Sequence, residues 1–405
     1  MTTPSLTTTA MAVGGEAIAR EGSGRVVFVS GALPGETVAV EVLEEKKTFA
    51  RAAVVEVLEA APERVVPPCP NVELGCGGCD WQHIEVGHQR ELRRGIVADV
   101  LARQGKVPDP QVRAGAPLAA EGLRTTVRGV ADAEGRFAFR RRRSHDLIAV
   151  DRCLVAHEAV NEVIAQGTFP PGAEVVVRVG ARTGERSVVV GPSGEGTRVP
   201  EGVTVVGERE LADGHRAWIH EEAAGRTWRV SARSFFQASP EGAEALVDAV
   251  DGFIAEHAPG AERLVDLCCG VGLFAGTVGA GRTVVGVERS ASSVADARQN
   301  LPDVDARIVK VALARWRPSP ADVVVADPAR SGLGKEGVAA VTGTGASLCV
   351  LVSCDPAALG RDAALLAEAG YEHVGSVVVD LFGHTSHIEV VSGFTKRVEV
   401  GTEPG

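Results

Sequence analysis

The sequence lacks any apolar run of the roughly 18 residues that a membrane span requires, so no spanning helix organises it. Its start, Met1 to Ala10, lacks both a basic and an apolar stretch, and does not read as a secretory signal. There is no internal repeat and no long low-complexity segment. Nor is there an excess of positive charge: Lys and Arg total 42 against 53 Asp and Glu, a net charge of −11. That balance argues against a chain that is basic all over and leaves any nucleic-acid contact to a local basic face. Cysteine, by contrast, is not scarce. Eight thiols in a chain without a secretory signal point to the cytoplasm, where cysteines bind metals or act in catalysis more often than they form disulfides.

A length of 405 residues with 45% apolar content suits two to four domains with proper cores. From Ala12 to Val66 the pattern is that of a small β unit. Val26 and Phe28 alternate with other residues, as do Val38, Val40 and Val42, and Leu33-Pro34-Gly35-Glu36 marks a turn between them. The size predicts a five-stranded barrel over residues 1–66. Pro67-Pro68 ends it, and a cysteine-rich loop follows from Cys69 to Cys79. Helical spacing from Ile84 to Gln104 sets Leu92, Ile96, Val100 and Leu101 on one face, a helix expected to pack on the last domain. The remainder of residues 67–235 reads as a β-rich central domain punctuated by glycine.

The last segment, residues 236–405, changes period. Ser239 caps a helix with Pro240 at its first position. Seven strand-like runs follow, beginning near Leu264, Thr283, Arg307, Asp322, Ser347, His373 and His387. Asp380 to Ser386 is too short for a crossover helix, so the expectation is a seven-stranded, mostly parallel sheet ending in an antiparallel pair. Ligands of such α/β sheets bind beyond the carboxyl ends of the strands. Gly270, Glu288, Asp327 and Cys354 all fall at or just past strand ends, and the antiparallel last strand starts at that edge with Glu389. Asp266 to Ala275 is a strand, a Gly-rich turn and a helix start, with Glu288 placed to reach ribose hydroxyls; taken alone it fits either a nucleoside cofactor or a dinucleotide. Cys354 follows an apolar run and precedes a turn and a helix, where a thiol is expected to have a lowered pKa.

Two features lie outside that segment. Cys69, Cys76, Cys79 and Cys153 can form one four-thiolate site, a set suited to zinc or an iron–sulfur cluster. Arg136 to Arg143 interleaves Phe137 and Phe139 with arginines, which suits a nucleic-acid backbone and stacked bases as well as a solvated strand edge; Lys46 and Lys47 offer a second basic arm.

Together these residues resemble the RNA uracil-C5 methyltransferases that use S-adenosylmethionine, over nearly the whole chain. Ser353-Cys354-Asp355-Pro356 resembles the family's nucleophile motif and His384-Thr385-Ser386-His387-Ile388-Glu389 its base motif. The resemblance implies a class I, Rossmann-like methyltransferase domain, an N-terminal TRAM domain that is an OB-like barrel, and a 4Fe–4S cluster on Cys69, Cys76, Cys79 and Cys153. It implies cofactor contacts at Gln237, Cys268, Gly270, Gly272, Glu288 and Asp327. There are departures: six residues rather than five separate Cys69 from Cys76, Ala329 stands for a second Pro, and Asp355 for the common Asn. Cys268 replaces an aromatic and Leu273 an Asn.

The implied reaction makes a 5-methyluridine in tRNA or 23S rRNA. A thiolate, Cys354, adds to uracil carbon 6, carbon 5 attacks the methyl donor, and Glu389 removes the carbon-5 proton. The uridine must leave its stack to reach such a site. A monomer that binds RNA and no membrane is expected. Rival readings are an NAD-dependent oxidoreductase built on the Gly loop, and a non-catalytic RNA-binding iron–sulfur protein. A radical S-adenosylmethionine enzyme lacks its usual close cysteine triplet here.

Overall fold

The computed structural model describes residues 5–397, so the first four residues of the expected signal-free start lie outside the described residues. Strands β1–β5 (Ser5–Met11, Ala17–Arg20, Val26–Ser30, Thr37–Glu45 and Phe49–Glu59) close into a barrel in the order β1-β2-β3-β5-β4. Small side chains fill its interior, Ala17, Ala19, Ala50 and Ala52 among Val27, Val29, Val38 and Val40, because a five-stranded barrel has little room. The alternation is real, but it turns Phe28 outward, where the Arg51 guanidinium lies 5.4 Å from its ring.

Helix α1 (Val86–Arg103) and a short strand β6 (Val112–Ala114) come next. Strands β7–β12 (Thr126–Ala131, Phe137–Arg140, Leu147–Ala149, Glu174–Val179, Arg186–Gly191 and Val203–Gly207) form a six-stranded sheet in the order β12-β11-β10-β7-β8-β9. Helix α2 (Glu158–Gln166) covers it through Val160, Val163 and Ile164, and the five-residue α3 (Glu208–Ala212) follows β12. A hairpin, β13 (Trp218–Ala223) and β14 (Arg226–Ser231), stands apart from that sheet.

The C-terminal unit contains α4 (Pro240–His257), β15 (Arg263–Leu267), α5 (Leu273–Gly276), β16 (Thr283–Glu288), α6 (Ala291–Asn300), β17 (Ala306–Lys310) and β18 (Val323–Ala326). It continues with α7 (Gly334–Thr344), β19 (Leu348–Ser353), α8 (Pro356–Glu368), β20 (Tyr371–Val379) and β21 (Glu389–Lys396). The sheet has eight strands, not the seven expected, in the order β17-β16-β15-β18-β19-β21-β20-β6. The eighth is β6, pairing in parallel with β20 through Val112 and Ser376. Its three half-buried or exposed residues carry no strand periodicity, and their partner is remote in the chain.

Both faces of this sheet are packed, as parallel strands demand. On one face α4 contributes Leu246, Val250 and Phe253, and the β13–β14 hairpin adds Ile219, Trp228 and Val230 to the same core. On the other, α1 lays Ile96, Val97, Val100 and Leu101 against Leu359, Leu366 and Tyr371. The cores therefore cross the expected boundary at residue 235: α1 and the hairpin precede it in sequence and pack with the domain that follows.

Trp228 has no exposed surface, and its indole N–H donates to Ala223 O at 2.9 Å. Trp228→Ala is expected to cost about 3–5 kcal/mol in chemical denaturation. An unchanged unfolding midpoint would show that the hairpin is no part of that core.

Candidate active site

Sheet order alone sets out the candidate residues. Moving across strands β16, β15, β18, β19 and β21, one edge presents in turn Glu288, Cys268, Asp327, Cys354 and Glu389. Adjacent strands lie about 4.8 Å apart; Ala326 pairs with Leu351, so Asp327 is level with Val352 and Cys354 stands two residues further out. Leu267 pairs with Ala326, which brings Cys268 beside Asp327, and Asp327 N–H donates to Leu267 O at 3.1 Å. Ser353 pairs with Val390 across the antiparallel ladder, so the next pair outward is Cys354 with Glu389. Cys354 thus sits between two carboxylates, one on each flanking strand. The order reverses at β15, which has β16 on one side and β18 on the other, the switch point where α/β sheets bind ligands.

The left half of this edge is a cradle. Cys268 has φ +63°, Gly270 +55° and Gly272 +97°, so the chain turns sharply after β15. An added Cβ at Gly270 would meet nothing within 4 Å, so backbone there faces open space. Buried Asp266 pins the turn from below: its Oδ2 accepts from Ala275 N–H at 3.0 Å, while Oδ1 has no partner. Burial pushes that carboxyl well above its ordinary range. The Glu288 carboxylate is held by Gly270 N–H at 3.1 Å and Ser290 N–H at 2.7 Å. Helix α5, which follows the loop, is a single turn of four residues. A dinucleotide site seats its pyrophosphate on a long helix N-terminus, and this loop does not offer one.

The right half carries the reactive groups. Glu389 is 5% exposed. Burial, then the charge of Asp327, hold its carboxyl well above the usual range. Burial raises Asp327 as well, opposed only by the Gln237 amide, whose Nε2 donates to Oδ2 at 3.3 Å. The structure therefore brings Gln237, expected as a cofactor contact, onto Asp327. The expectation of a lowered thiol pKa at Cys354 is corrected: burial, then Glu389 and Asp327, push the half-buried thiol up to about 11, and Arg330 only partly offsets them. The following helix is capped by the Asp355 side chain, which takes the Ala358 N–H at 2.7 Å.

Sequence reasoning missed the residues that hold Glu389 in place. Between β20 and β21 the chain makes a turn, residues 380–388, clasped by α1. The buried Arg93 guanidinium donates to Asp380 Oδ1 at 3.1 Å, Phe382 O at 2.8 Å and Thr385 O at 2.9 Å, and lies 5.5 Å from the Trp81 ring. Arg90 Nε adds a bond to Asp380 Oδ2 at 2.5 Å. His384, at φ +63°, is oriented by Gln89, whose Oε1 accepts its N–H at 2.9 Å. Burial keeps both His384 and His387 below the usual imidazole range, so the turn carries neutral rings. Arg90 and Arg93, three residues apart on one helix, were the only local sign of this.

Cys69, Cys76, Cys79 and Cys153 line a single cavity of about 360 Å³, with Gln82, Arg124 and Phe139. Among the described residues no group of three His, Cys, Asp or Glu side chains is set to hold a metal ion, these four thiols included. Burial raises the Cys79 thiol to about 11, and Cys76 and Cys153 move in the same direction. The basic segment lies beside this cavity: Arg142 N–H donates to Gly75 O at 3.0 Å, and Arg140 to Arg143 are all exposed. Arg143 is tied to Glu16 at 3.0 Å, linking the central sheet to the barrel. Lys46, of the expected second arm, is paired with Glu44 at 3.1 Å. Among the described residues no helix is long and apolar enough to cross a membrane.

A TRAM-domain profile matches residues 10–55. An uncharacterized RNA methyltransferase of Streptomyces coelicolor is 38% identical over 94% of this chain and 90% of its own length. The 23S rRNA (uracil(1939)-C(5))-methyltransferase RlmD of Chromohalobacter salexigens is 33% identical over 96% of this chain and 88% of its own. Among solved structures, the tRNA (uracil-54, C5)-methyltransferase of Pyrococcus abyssi, in complex with S-adenosyl-L-homocysteine, superposes with a TM-score of 0.74 at 22% identity, covering 96% of this chain and 99% of that one. That likeness establishes the shared fold.

The raised carboxyls make a prediction about stability. A folded-state pKa above the unfolded value means that the folded protein binds extra protons, so stability falls as pH rises through the folded pKa. Asp327→Asn removes one such group and the charge that raises Glu389. The fall of Tm from acidic towards neutral pH is expected to become shallower in the variant; an unchanged slope would mean that Asp327 ionises like an ordinary carboxyl.

Proposed function

Because the chain belongs to the RNA uracil-C5 methyltransferase family that carries an N-terminal TRAM domain, we propose that it methylates carbon 5 of a uridine in RNA with S-adenosylmethionine as donor. One observation carries the reading: the register that faces Cys354 with Glu389, two strands from an open Gly-rich cradle. Hydride transfer does not itself require that pairing, and the one-turn helix after the cradle argues against a dinucleotide.

Carbon 5 of uracil is a poor nucleophile until carbon 6 gains an electron pair. Cys354 sulfur adds at carbon 6, forming a C–S bond and an enolate. Carbon 5 then takes the methyl group of the sulfonium, whose S–CH₃ bond breaks. Glu389 accepts the carbon-5 proton, the C–S bond breaks, and the thiolate leaves. The raised thiol pKa means that the resting sulfur is protonated and must lose its proton as it attacks. The two flanking carboxylates supply separate seats, Asp327 for the thiol proton and Glu389 for the carbon-5 proton. Both must be ionised when RNA enters for these transfers to balance, and on elimination Asp327 returns its proton to the departing thiolate.

Glu288 suits the ribose hydroxyls of the donor, since its two oxygens keep free lone pairs after accepting one backbone N–H each. Gly270, Gly272 and Cys268 form the turn against which the donor lies. We assign to Cys69, Cys76, Cys79 and Cys153 the 4Fe–4S cluster that the family resemblance implies, on the ground that all four line one cavity. Such a cluster would act as a clamp on the loop that carries three of its ligands. The exposed arginines from Arg140 to Arg142 beside it suit RNA phosphates, and the net charge of −11 makes that local patch more distinctive.

A 23S rRNA transcript is the first substrate to assay, followed by tRNA. Cys354→Ala is expected to abolish methyl transfer and covalent trapping of RNA while donor binding persists. Glu389→Gln is expected to lower turnover about 10²–10⁴-fold and to accumulate a denaturant-stable protein–RNA adduct on gels. Methylation by Cys354→Ala would remove the thiol from the reaction; normal turnover without adduct in Glu389→Gln would remove the carboxylate.

A further inference from the structure

The turn that delivers Glu389 is held from outside as well as by its own bonds. Within residues 380–388 one backbone–backbone bond runs from Thr385 N–H to Phe382 O at 3.2 Å, the Thr385 hydroxyl donates to Phe382 O and accepts from His387 N–H, and remote parts of the chain supply further bonds. Helix α1 takes one side through Arg93 and Gln89. The thiol-bearing loop takes the second: Ser386 N–H donates to Asp80 Oδ1 at 2.8 Å, and Trp81 N–H donates to His384 O at 3.0 Å. The barrel takes the third. Trp81 Nε1 donates to Gly15 O at 3.2 Å, and a Cβ built on Gly15 would collide with Ser386 Cβ and stand 2.7 Å from Trp81 Nε1. Gly15 is also at φ +83°, so both its conformation and the space around it require glycine.

We propose that Asp80, immediately after Cys79, is a positioning residue for Glu389: it ties the catalytic turn to the thiol loop and, through Trp81 and Gly15, to the barrel. The base is then correctly placed only while both RNA-side modules are docked on the methyltransferase domain. The inference rests on the function proposed above. Asp80 bonds to Ser386, which precedes the base on the same turn, and it acts by fixing where Ser386 lies. An error of about 1 Å in the position of a base can cost on the order of 10²-fold.

The test uses the full chain, RNA tritiated at uracil carbon 5, and S-adenosylmethionine. Asp80→Ala is expected to bind donor within about twofold of wild type, to form the Cys354 adduct, and to release tritium at least about tenfold more slowly. Asp80→Asn keeps an oxygen that can accept from Ser386 N–H, and is expected to restore most of the rate. Gly15→Ala, which disturbs the same junction from the barrel, is expected to reproduce the slow release. A wild-type rate in Asp80→Ala would overturn the proposal. So would Asp80→Asn as slow as Asp80→Ala, because charge and not the hydrogen bond would then matter, or loss of donor binding in all three variants, because the effect would then be general unfolding. Absence of methyl-dependent tritium release from the wild-type chain would instead refute the proposed function itself.

Discussion

One buried guanidinium organises the reactive edge. Arg93, 2% exposed, is paired with the 7% exposed Asp380 and donates through Nη2 to two carbonyls of the turn before Glu389, while its Nε–H has no partner. Taking two charges out of water is costly, and a buried pair repays that cost only when its other hydrogen-bonding groups are also satisfied. Here the carbonyls of Phe382 and Thr385 take Nη2 donors, and the Nε–H stays unpaired, so the condition is only partly met. The turn gains a fixed shape as a result, including a left-handed His384 that a bulky residue adopts only under constraint. The net gain in stability from such a pair is small; its contribution is to define where Glu389 begins its strand.

The same low polarity shapes the chemistry of the edge. Burial holds both Asp327 and Glu389 towards the neutral acid, and the charge of Asp327 adds to the effect on Glu389. A thiol between them is held as the neutral acid, the opposite of the usual activated cysteine. On the function proposed above, that arrangement would hold the Cys354 thiol unreactive until substrate fills the site. Gln237, which donates to Asp327, biases which carboxyl keeps its charge.

Strand ends were legible in the sequence because apolar runs and glycine turns are local. The run Leu264 to Leu267 with Gly270 and Gly272 after it, and Val350 to Ser353 before Cys354, each announce a buried strand and the turn at its end. The short Asp380 to Ser386 connection announced the antiparallel return that brings Glu389 to the edge. Helix α1 was readable from its apolar face, and the role of its arginines was not, because their partners lie some 290 residues further along. Strand β6 was not readable because three largely exposed residues form a strand only when an edge is waiting for them. The thiol pKa was misjudged for a related reason: the helix after Cys354 is local, and the carboxylates that outweigh it are supplied by neighbouring strands.

The division reflects the range of the forces involved. Periodicity, capping residues and turn chemistry act over a few residues, so the chain alone specified the kinds of element, their order and the reactive groups at their ends. Proximity across the sheet, the shared burial of Asp327, Cys354 and Glu389, the four-thiol cavity and the junction of Gly15, Trp81 and Ser386 depend on which surfaces meet after folding. Electrostatics and close packing are decided by distance in space, and only the folded arrangement sets those distances.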